Sequence, residues 1–334
     1  MTGADPELSR TVADLKHAIL GDVPTLRGDE VAAATGVPLE DARRLWRALG
    51  FPDSITEAAF TETDRDALAR VAQAGAEAHI GIDTMVRVVR AVGHTMARLA
   101  DWEVATLSDA VSEFGSATSA SPEALRAGFG LVEKLGPHFD HLLVYAFRRH
   151  LAAAVERVEI LGSDEEDTHV AQATVGFADL VQFTALSNEL DENEIGDLVE
   201  VFESRCSDVI AGHNGRVIKT LGDSVLFLES DPAQAIDIAL DIIAVIGRDE
   251  RLPDVRLGLA TGPVVLRMGD VYGPPVNLAA RFTAVARRNR VIIDERTAEL
   301  LPPEEFETRP LPARPIRGFG DLEPVTVRRT RPRH

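Results

Sequence analysis

The stretch Arg216-Val-Ile-Lys-Thr-Leu-Gly-Asp-Ser-Val-Leu-Phe227 predicts two short apolar strands joined by a tight turn. Its charged residues, Lys219 and Asp223, flank that turn and cannot serve to build a hydrophobic core. A cation and an anion held at the tip of a rigid hairpin indicate a site for a phosphate or a metal ion. A solvated lysine and a turn-closing aspartate remain the alternative for either residue taken alone.

Two further segments place polar residues at the ends of apolar elements. Ala173-Thr-Val-Gly-Phe-Ala-Asp179 predicts a strand that ends in an acid, and Asp270-Val-Tyr-Gly-Pro-Pro-Val-Asn277-Leu-Ala-Ala-Arg281 predicts the start of a helix. Asn277 and Arg281 are four residues apart, so a helix places them on one face. Together with the hairpin, these segments resemble the catalytic domain of class III nucleotidyl cyclases, over roughly residues 171–327.

The resemblance implies that Asp179 and Asp223 bind two Mg²⁺ or Mn²⁺ ions, with the backbone carbonyl of Leu180 as a further ligand. Mg²⁺ typically takes one or two carboxylates together with phosphate oxygens. It further implies a triphosphate over the first turn after Asp179, near Phe183 and Thr184, where free amides favour anions. For each aspartate alone, a helix cap or a hairpin closure remains the alternative.

By the same resemblance, Lys219 and Asp270 contact the adenine ring, whose N1 accepts and whose N6 donates a hydrogen bond. Guanylyl cyclases of this family carry a glutamate and a small cysteine or serine instead, so the pair predicts ATP as substrate. Asn277 would orient the ribose, and Arg281 would stabilise the charge that builds on the phosphates in the transition state. The implied activity is that of an adenylyl cyclase, a phosphorus–oxygen lyase that forms 3′,5′-cyclic AMP.

The hairpin geometry favours two pockets rather than one. If Leu221-Gly222 forms a two-residue turn, Thr220 pairs with Asp223, and strand alternation sends Lys219 and Asp223 to opposite faces. Class III cyclases bring such residues into one site by head-to-tail pairing, so the resemblance implies a homodimer with two equivalent sites. Only Leu266-Arg-Met-Gly269 stands where family members usually carry a longer dimerisation arm, which leaves the dimer affinity open.

Composition narrows the class of protein. The chain has 334 residues, enough for two domains, and a formal net charge of -19 that argues against nucleic acid as a partner. Cys206 is the only cysteine, so no internal disulfide forms, as is typical of a reducing compartment. No apolar run approaches the roughly 18–20 residues that span a bilayer, and we expect a soluble cytoplasmic protein without a membrane span. The arginine-rich segment 328–333 is interpreted as a solvated tail.

The pattern of elements predicts an all-helical regulatory domain over residues 1–161 and an α+β catalytic domain, of the ferredoxin-like type, over residues 162–334. A connecting helix is predicted from about Pro137 to Leu161, before the acidic junction Gly162-Ser-Asp-Glu-Glu-Asp167. Further elements are predicted as strands at 173–180, 216–219, 224–228, 255–260 and 291–293, and as helices at 192–211 and 233–246.

The N-terminal half resembles the autoinhibitory helical domain of mycobacterial, pH-responsive adenylyl cyclases, a match that rests on the stretch from Val37 to Pro52. His138, His141 and His150 lie on or beside the connecting helix, and histidine titrates near physiological pH. We therefore hypothesise that protonation there regulates catalysis, with ordinary surface histidines as the alternative. The apolar helices leave a lipid open as another regulator.

Two other functions deserve comparison. Residues 29–50 resemble the helix-turn-helix of winged transcription regulators, which suggests a DNA-binding regulator with an inactive cyclase domain as ligand sensor. The acidic composition argues against that alternative. A diguanylate cyclase is disfavoured because its Gly-Gly-Asp/Glu-Glu-Phe signature is absent and the hairpin reads Leu221-Gly-Asp-Ser.

Overall fold

A computed structural model describes residues 6–51, 57–114, 122–161, 170–267 and 269–330. The chain divides into two compact units, Met1–Leu151 and Ala152–His334. The acidic junction predicted at 162–167 lies outside the described residues. None of the described helices is long and apolar enough to cross a membrane.

Helices alone make up the described N-terminal part of the chain, apart from a single bridge between Leu26 and Phe60. Their bounds are α1 Pro6–Leu20, α2 Gly28–Thr35, α3 Leu39–Leu49, α4 Glu62–Glu77, α5 Ile82–Phe114 and α6 Pro122–Leu161. Two left-handed glycines, Gly36 and Gly50, end α2 and α3, as a residue without Cβ readily does. The predicted helix–turn–helix is therefore present.

A small hydrophobic core holds α2 to α5 together. Trp46 of α3 packs against Phe60, with ring centroids 4.3 Å apart. The remaining buried members are Val31, Ala32, Ala42, Leu45, Ala48, Leu68, Val86 and Val89. α5 crosses α3 closely, since a Cβ on Gly93 would lie 2.6 Å from the Cα of Leu49. Val86 and Val89 in this core attach the first half of α5 to the other helices.

α6 differs from its predicted form at both its start and its apolar stripe. It begins at Pro122, fifteen residues before the expected start, and Pro137 lies inside the helix. Proline favours the first turn of a helix, which is why Pro137 suggested a start. The apolar residues at helical spacing that predict a packed stripe on this helix include Leu143, Phe147 and Leu151, but Phe147 is 65% exposed and Leu151 50% exposed. The stripe is therefore not covered by the described residues.

The second unit is a mixed α/β domain built on an eight-stranded sheet. The strands are β1 Val170–Leu180, β2 Arg216–Leu221, β3 Ser224–Glu229, β4 Val255–Arg267, β5 Asp270–Tyr272, β6 Val291–Ile293, β7 Phe306–Pro310, β8 Arg314–Ile316, β9 Gly320–Leu322 and β10 Val325–Arg329. Their order is β2-β3-β1-β4-β6-β10-β7, with β5 on β4, and β8 and β9 form a separate hairpin. β4 and β6 are parallel, and the other pairs are antiparallel.

Helices cover both faces of this sheet. They are α7 Phe183–Leu186, α8 Glu192–Gly212, α9 Pro232–Ile246, α10 Pro274–Val285 and α11 Glu295–Leu300. Strand alternation sends Phe227 of β3 into the core that contains α8 and α9, and Leu226 into the core that contains Ala279 of α10. The two cores hold the carboxyl end of β1 and the amino end of α10 in fixed positions.

Close approach of α10 to β4 depends on one glycine. A Cβ on Gly258 would lie 2.2 Å from the backbone nitrogen of Thr283 and 2.4 Å from the carbonyl oxygen of Ala279. Both contacts are with helix backbone, which cannot rotate away as a side chain would. Gly258 therefore sets the distance between α10 and the sheet.

Three local expectations are wrong. The β2–β3 turn is Gly222-Asp223, with Leu221 opposite Ser224, because Gly222 takes the left-handed φ of +63° that the turn requires. Asp270 lies on β5 rather than at a helix start, since it pairs with Arg267 of β4. The arginine-rich segment 328–333, expected to be a solvated tail, is not a tail over its whole length, because Arg328 and Arg329 are the last residues of β10.

Candidate active site

Asp179 lies at the end of β1, between β3 and β4, with both carboxylate oxygens in use. Ser224 is its partner on β3, and the Ser224 hydroxyl donates to Oδ1 at 2.6 Å. Arg256 is its partner on β4, and its Nε donates to Oδ2 at 2.7 Å with Nη2 at 2.6 Å. The Asp179 side chain is only 15% exposed. The charged arginine fork thus compensates for burying the carboxylate.

Asp223 is fixed beside Asp179 by the backbone. The N–H of Leu180 donates to the carbonyl oxygen of Asp223 at 3.1 Å, which ties the hairpin tip to the end of β1. Burial, followed by the negative charge of Asp179, raises the pKa of Asp223. Two carboxylates therefore share one partly buried site, and their repulsion favours a cation there.

The donor set of this site suits Mg²⁺ or Mn²⁺. Both ions prefer oxygen ligands, and a pair of carboxylates with a nearby backbone carbonyl provides them. Leu180 has a buried side chain, so it can contribute only its backbone carbonyl. Within the described residues no group of three or more His, Cys, Asp or Glu side chains could hold a metal. The remaining ligands would therefore come from the nucleotide and water.

The turn predicted to carry the triphosphate follows β1 directly. Gln182 takes a left-handed conformation with φ of +62°, and the four-residue α7 begins at Phe183. The Phe183 side chain packs against the main core, whereas Thr184 is exposed. These contacts place the turn beside Asp179 and leave the Thr184 hydroxyl accessible to a ligand.

Lys219 and Asp270 form a second polar group. The Nζ of Lys219 on β2 lies 2.6 Å from Oδ2 of Asp270 on β5, and the backbone N–H of Val271 donates to Oδ1 at 2.8 Å. Burial acts to raise the pKa of Asp270, but these hydrogen bonds outweigh it and hold the pKa below its usual value. Asp270 is therefore ionised at neutral pH, and the pair holds a donor and an acceptor side by side.

Asn277 and Arg281 share the outer face of α10. Both side chains are exposed, while Ala279, Phe282 and Thr283 on the other face are buried. Asn277 and Arg281 make no hydrogen bond or ion pair with other described residues. They are thus held by the helix backbone and remain free to meet a ligand.

The structure brings the predicted residues into groups rather than into one pocket. Asp179 and Asp223 interact with each other, as do Lys219 and Asp270, but across the described residues no contact links the two pairs. The expectation that Lys219 and Asp223 lie on opposite faces stays a prediction, and the strand pairing proposed for it is wrong.

Sequence reasoning missed Arg256 and Ser224. Both flank Asp179 in the strand register, so their roles depend on which strands become neighbours. One signal was present in the sequence: a charged Arg256 within the otherwise apolar run that begins at Val255. Such a charge in a central strand requires a partner.

Comparison with known sequences covers both halves of the chain. The profile of the Adenylate and Guanylate cyclase catalytic domain matches residues 166–328, and that of the Adenylate cyclase regulatory domain matches residues 6–151. An adenylate cyclase of Streptomyces coelicolor is 37% identical, with 98% of this chain and 92% of the relative aligned. An adenylate cyclase of Glutamicibacter nicotianae is 35% identical, with 96% of this chain and 83% of the relative aligned.

A third relative is the pH-sensitive adenylate cyclase of Mycobacterium tuberculosis, 30% identical over 94% of this chain and 81% of the relative. The match over residues 166–328, which contain nearly all of the mixed α/β sheet, identifies a nucleotidyl cyclase domain. The chain belongs to the class III adenylate cyclases that carry an N-terminal adenylate cyclase regulatory domain. The predicted family and fold, helical region followed by cyclase domain, are confirmed.

Proposed function

We propose that this protein converts ATP into 3′,5′-cyclic AMP and pyrophosphate. The ribose 3′ oxygen attacks the α-phosphorus, the bond from the α-phosphorus to the bridging oxygen of pyrophosphate breaks, and the 3′ proton leaves to solvent. The observation that carries the proposal is the arrangement of Asp179 and Asp223 at one strand end, with Arg256 against the first. Three charged side chains at one place do not contribute to an apolar core, so they indicate a polar function.

Asp179 and Asp223 would hold two divalent cations, together with the Leu180 carbonyl. When bound, such ions lower the pKa of the attacking hydroxyl and neutralise the leaving pyrophosphate. The chain itself fixes one carboxylate near the end of β1 and the other in the β2–β3 turn beside it. Arg256 pairs with Asp179 in the absence of a cation. Phe183 and Thr184 would bring the first turn of α7 to the triphosphate.

Lys219 and Asp270 would read the adenine edge, one donating to N1 and the other accepting from N6. Their pairing in the free protein supports this role, because a donor and an acceptor are already side by side. Asn277 would orient the ribose, and Arg281 would stabilise the phosphate charge in the transition state. This set favours ATP over GTP.

We further propose that the active protein is a homodimer with two head-to-tail sites. One protomer would supply Asp179 and Asp223, and its partner would supply the residues that contact base and ribose. The long helices support the need for a second copy. Trp102 of α5 is 60% exposed, and Tyr145 and Phe147 of α6 are 63% and 65% exposed. A second copy packed along these helices would cover these three side chains.

The helical unit would regulate the cyclase, with pH as the proposed signal. His138, His141 and His150 are exposed on α6, where protonation adds charge along one helix. Replacing all three with glutamine is expected to flatten the pH–activity curve of the full chain. An unchanged curve would assign the pH response to other groups, and a lipid would become the next regulator to test.

The DNA-binding alternative loses support in the structure. Arginines of α3, the second helix of the helix–turn–helix, are paired with acids of the same unit: Arg44 with Asp41 and Asp83, and Arg47 with Glu40. A recognition helix needs cations that are free to meet phosphates. On α3, Arg44 and Arg47 are instead neutralised by neighbouring carboxylates.

The test is cyclic nucleotide production by purified full-length protein with Mn²⁺, supplied with ATP or GTP at about pH 5.5 and about pH 8. We expect cyclic AMP from ATP and its loss in Asp223→Ala. Asp208→Ala, which removes an exposed aspartate of α8, is the matched control and should retain activity. Cyclic GMP as the main product, or equal activity of the two variants, would contradict the assignment.

A further inference from the structure

The catalytic unit contains a second polar concavity, of about 640 Å³, that the cyclase reaction does not use. Five of its lining residues are arginines: Arg287, Arg290, Arg309, Arg314 and Arg328. Glu307 is the one carboxylate in the lining, so five positive charges less one leave a local charge of +4. The whole chain carries -19, so this accumulation runs against its general composition. We call it the arginine concavity.

Strand alternation builds the wall of the arginine concavity. Across three neighbouring strands, Ile292 of β6, Thr326 of β10 and Arg309 of β7 lie opposite one another. In the next row Arg328 faces Glu307. The intervening residues, among them Val291, Ile293 and Val325, turn the other way into the main core. Arg309 and Arg328 therefore project from the face of these strands opposite the main core.

The floor is apolar, and one arginine is incompletely satisfied. Val285 at the end of α10, Ile292 and Leu311 line it, and Arg314 on β8 closes one side. The Nε of Arg314 is buried and has no hydrogen-bond partner among the described residues. Leaving a charged donor buried and unpaired costs free energy, which a bound acceptor would recover.

Most of these cations also lack an anion. Arg328 is paired with Glu307 at 2.6 Å. Within the part of the chain that the structure describes, no carboxylate forms an ion pair with Arg287, Arg290, Arg309 or Arg314. A bound anion relieves the mutual repulsion of clustered guanidinium groups, and guanidinium binds phosphate oxygens in bidentate geometry.

We propose that the arginine concavity binds an anion that carries a chain of at least two phosphate groups, either inorganic polyphosphate or the polyphosphate of a nucleotide. Its volume lies within the range of about 300–1,000 Å³ typical of small-molecule sites and exceeds the need of one phosphate. The apolar floor suits the flat face of a base, on which arginine side chains also stack. Its lining includes none of the residues assigned to catalysis, so the site goes beyond the proposed reaction.

The test is calorimetric titration of the full-length protein in EDTA, which removes the divalent cations that binding at Asp179 and Asp223 would require. Tripolyphosphate, ATP and orthophosphate are titrated separately. We expect Arg314→Gln and Arg290→Gln each to raise the Kd for tripolyphosphate roughly tenfold. Arg248→Gln, which removes an exposed arginine outside the concavity, should leave the Kd unchanged. Asp223→Ala should also leave it unchanged, whatever becomes of cyclase activity.

Each outcome decides the proposal. Binding of both polyphosphates identifies the phosphate chain as the ligand, and binding of ATP alone adds a contribution from the nucleoside. Because Arg290 is exposed, its variant keeps the test valid even if Arg314→Gln does not fold. The proposal is overturned if neither polyphosphate binds, if orthophosphate binds as tightly as tripolyphosphate, or if Arg290→Gln and Arg248→Gln behave alike. Binding of poly-glutamate without polyphosphate would point instead to an acidic protein partner and would equally overturn it.

Discussion

The aspartates of the candidate metal site and the polar side chains of α10 differ in how completely the chain itself satisfies them. Asp179 lies between two strand neighbours, Ser224 and Arg256, which bond both of its oxygens. Asn277 and Arg281 project from α10 without a polar partner among the described residues. The first group is thus assembled by one chain, while the second is presented outwards. That difference supports a site completed by a second copy.

The largest expected effect tests this division directly. Asp223→Ala and Arg281→Ala should each lower cyclase activity by roughly a hundredfold or more. Mixing the two variants in equal amounts should restore about a quarter of the wild-type activity, because half of the dimers would then contain one intact site of two. Activity is measured as cyclic AMP formed before and after mixing. If mixing restores nothing, both groups serve the same protomer.

A second substitution separates α10 from the sheet while the aspartates stay in place. Gly258→Ala adds a Cβ that would lie 2.2 Å from the backbone of Thr283. We expect a loss of about 2–3 kcal/mol and a Tm lower by roughly 5–10 °C, together with lower activity. Gly196→Ala is the control, since its Cβ meets nothing within 4 Å and alanine favours an exposed helix position. Equal Tm values for the two variants would contradict the close packing.

Arg256→Gln tests whether Arg256 and a divalent cation compete for Asp179. Without its ion pair the largely buried Asp179 retains one hydrogen bond, from Ser224, beside the charge of Asp223. We expect the metal-free protein to lose about 1–2 kcal/mol of stability and to show a larger rise in Tm on addition of Mn²⁺. Thermal melts with and without Mn²⁺ measure both. A smaller Mn²⁺ response than that of the wild type would count against competition between Arg256 and the cation.

The smallest effect on stability is expected for a substitution in the pair of Lys219 and Asp270, the proposed contacts to the adenine base. The Lys219 and Asp270 side chains are 34% and 26% exposed, so solvent screens their pair and Lys219→Gln should cost less than about 1 kcal/mol. Loss of a charged donor to the base should nevertheless raise the KM for ATP roughly tenfold. A steady-state assay and a thermal melt of the same variant distinguish a role in ATP binding from a role in stability. An unchanged KM with a lowered Tm would make the pair structural.

Much of the catalytic unit could be predicted from local pattern. The strands around Phe177 and Phe227 and the helix from Glu192 follow from runs and periodicities of apolar residues, which depend on near neighbours in the chain. The long α6 could not be bounded, because Pro137 is tolerated inside a helix whose surroundings do not require a break. The hairpin register failed for a similar reason, since Gly222 could occupy either position of a two-residue turn.

By itself, the sequence determined the family and the order of a helical unit before an α/β unit, and it identified candidate catalytic residues, because these depend on residue types at short spacing. Only the tertiary structure decided which side chains meet. Asp179 and Arg256 are 77 residues apart and Lys219 and Asp270 are 51 apart, so each pair exists only because of strand order. The same is true of the arginine concavity, whose charges come from four segments of chain. Contacts between distant residues are fixed by sheet topology and core packing, which no local pattern encodes.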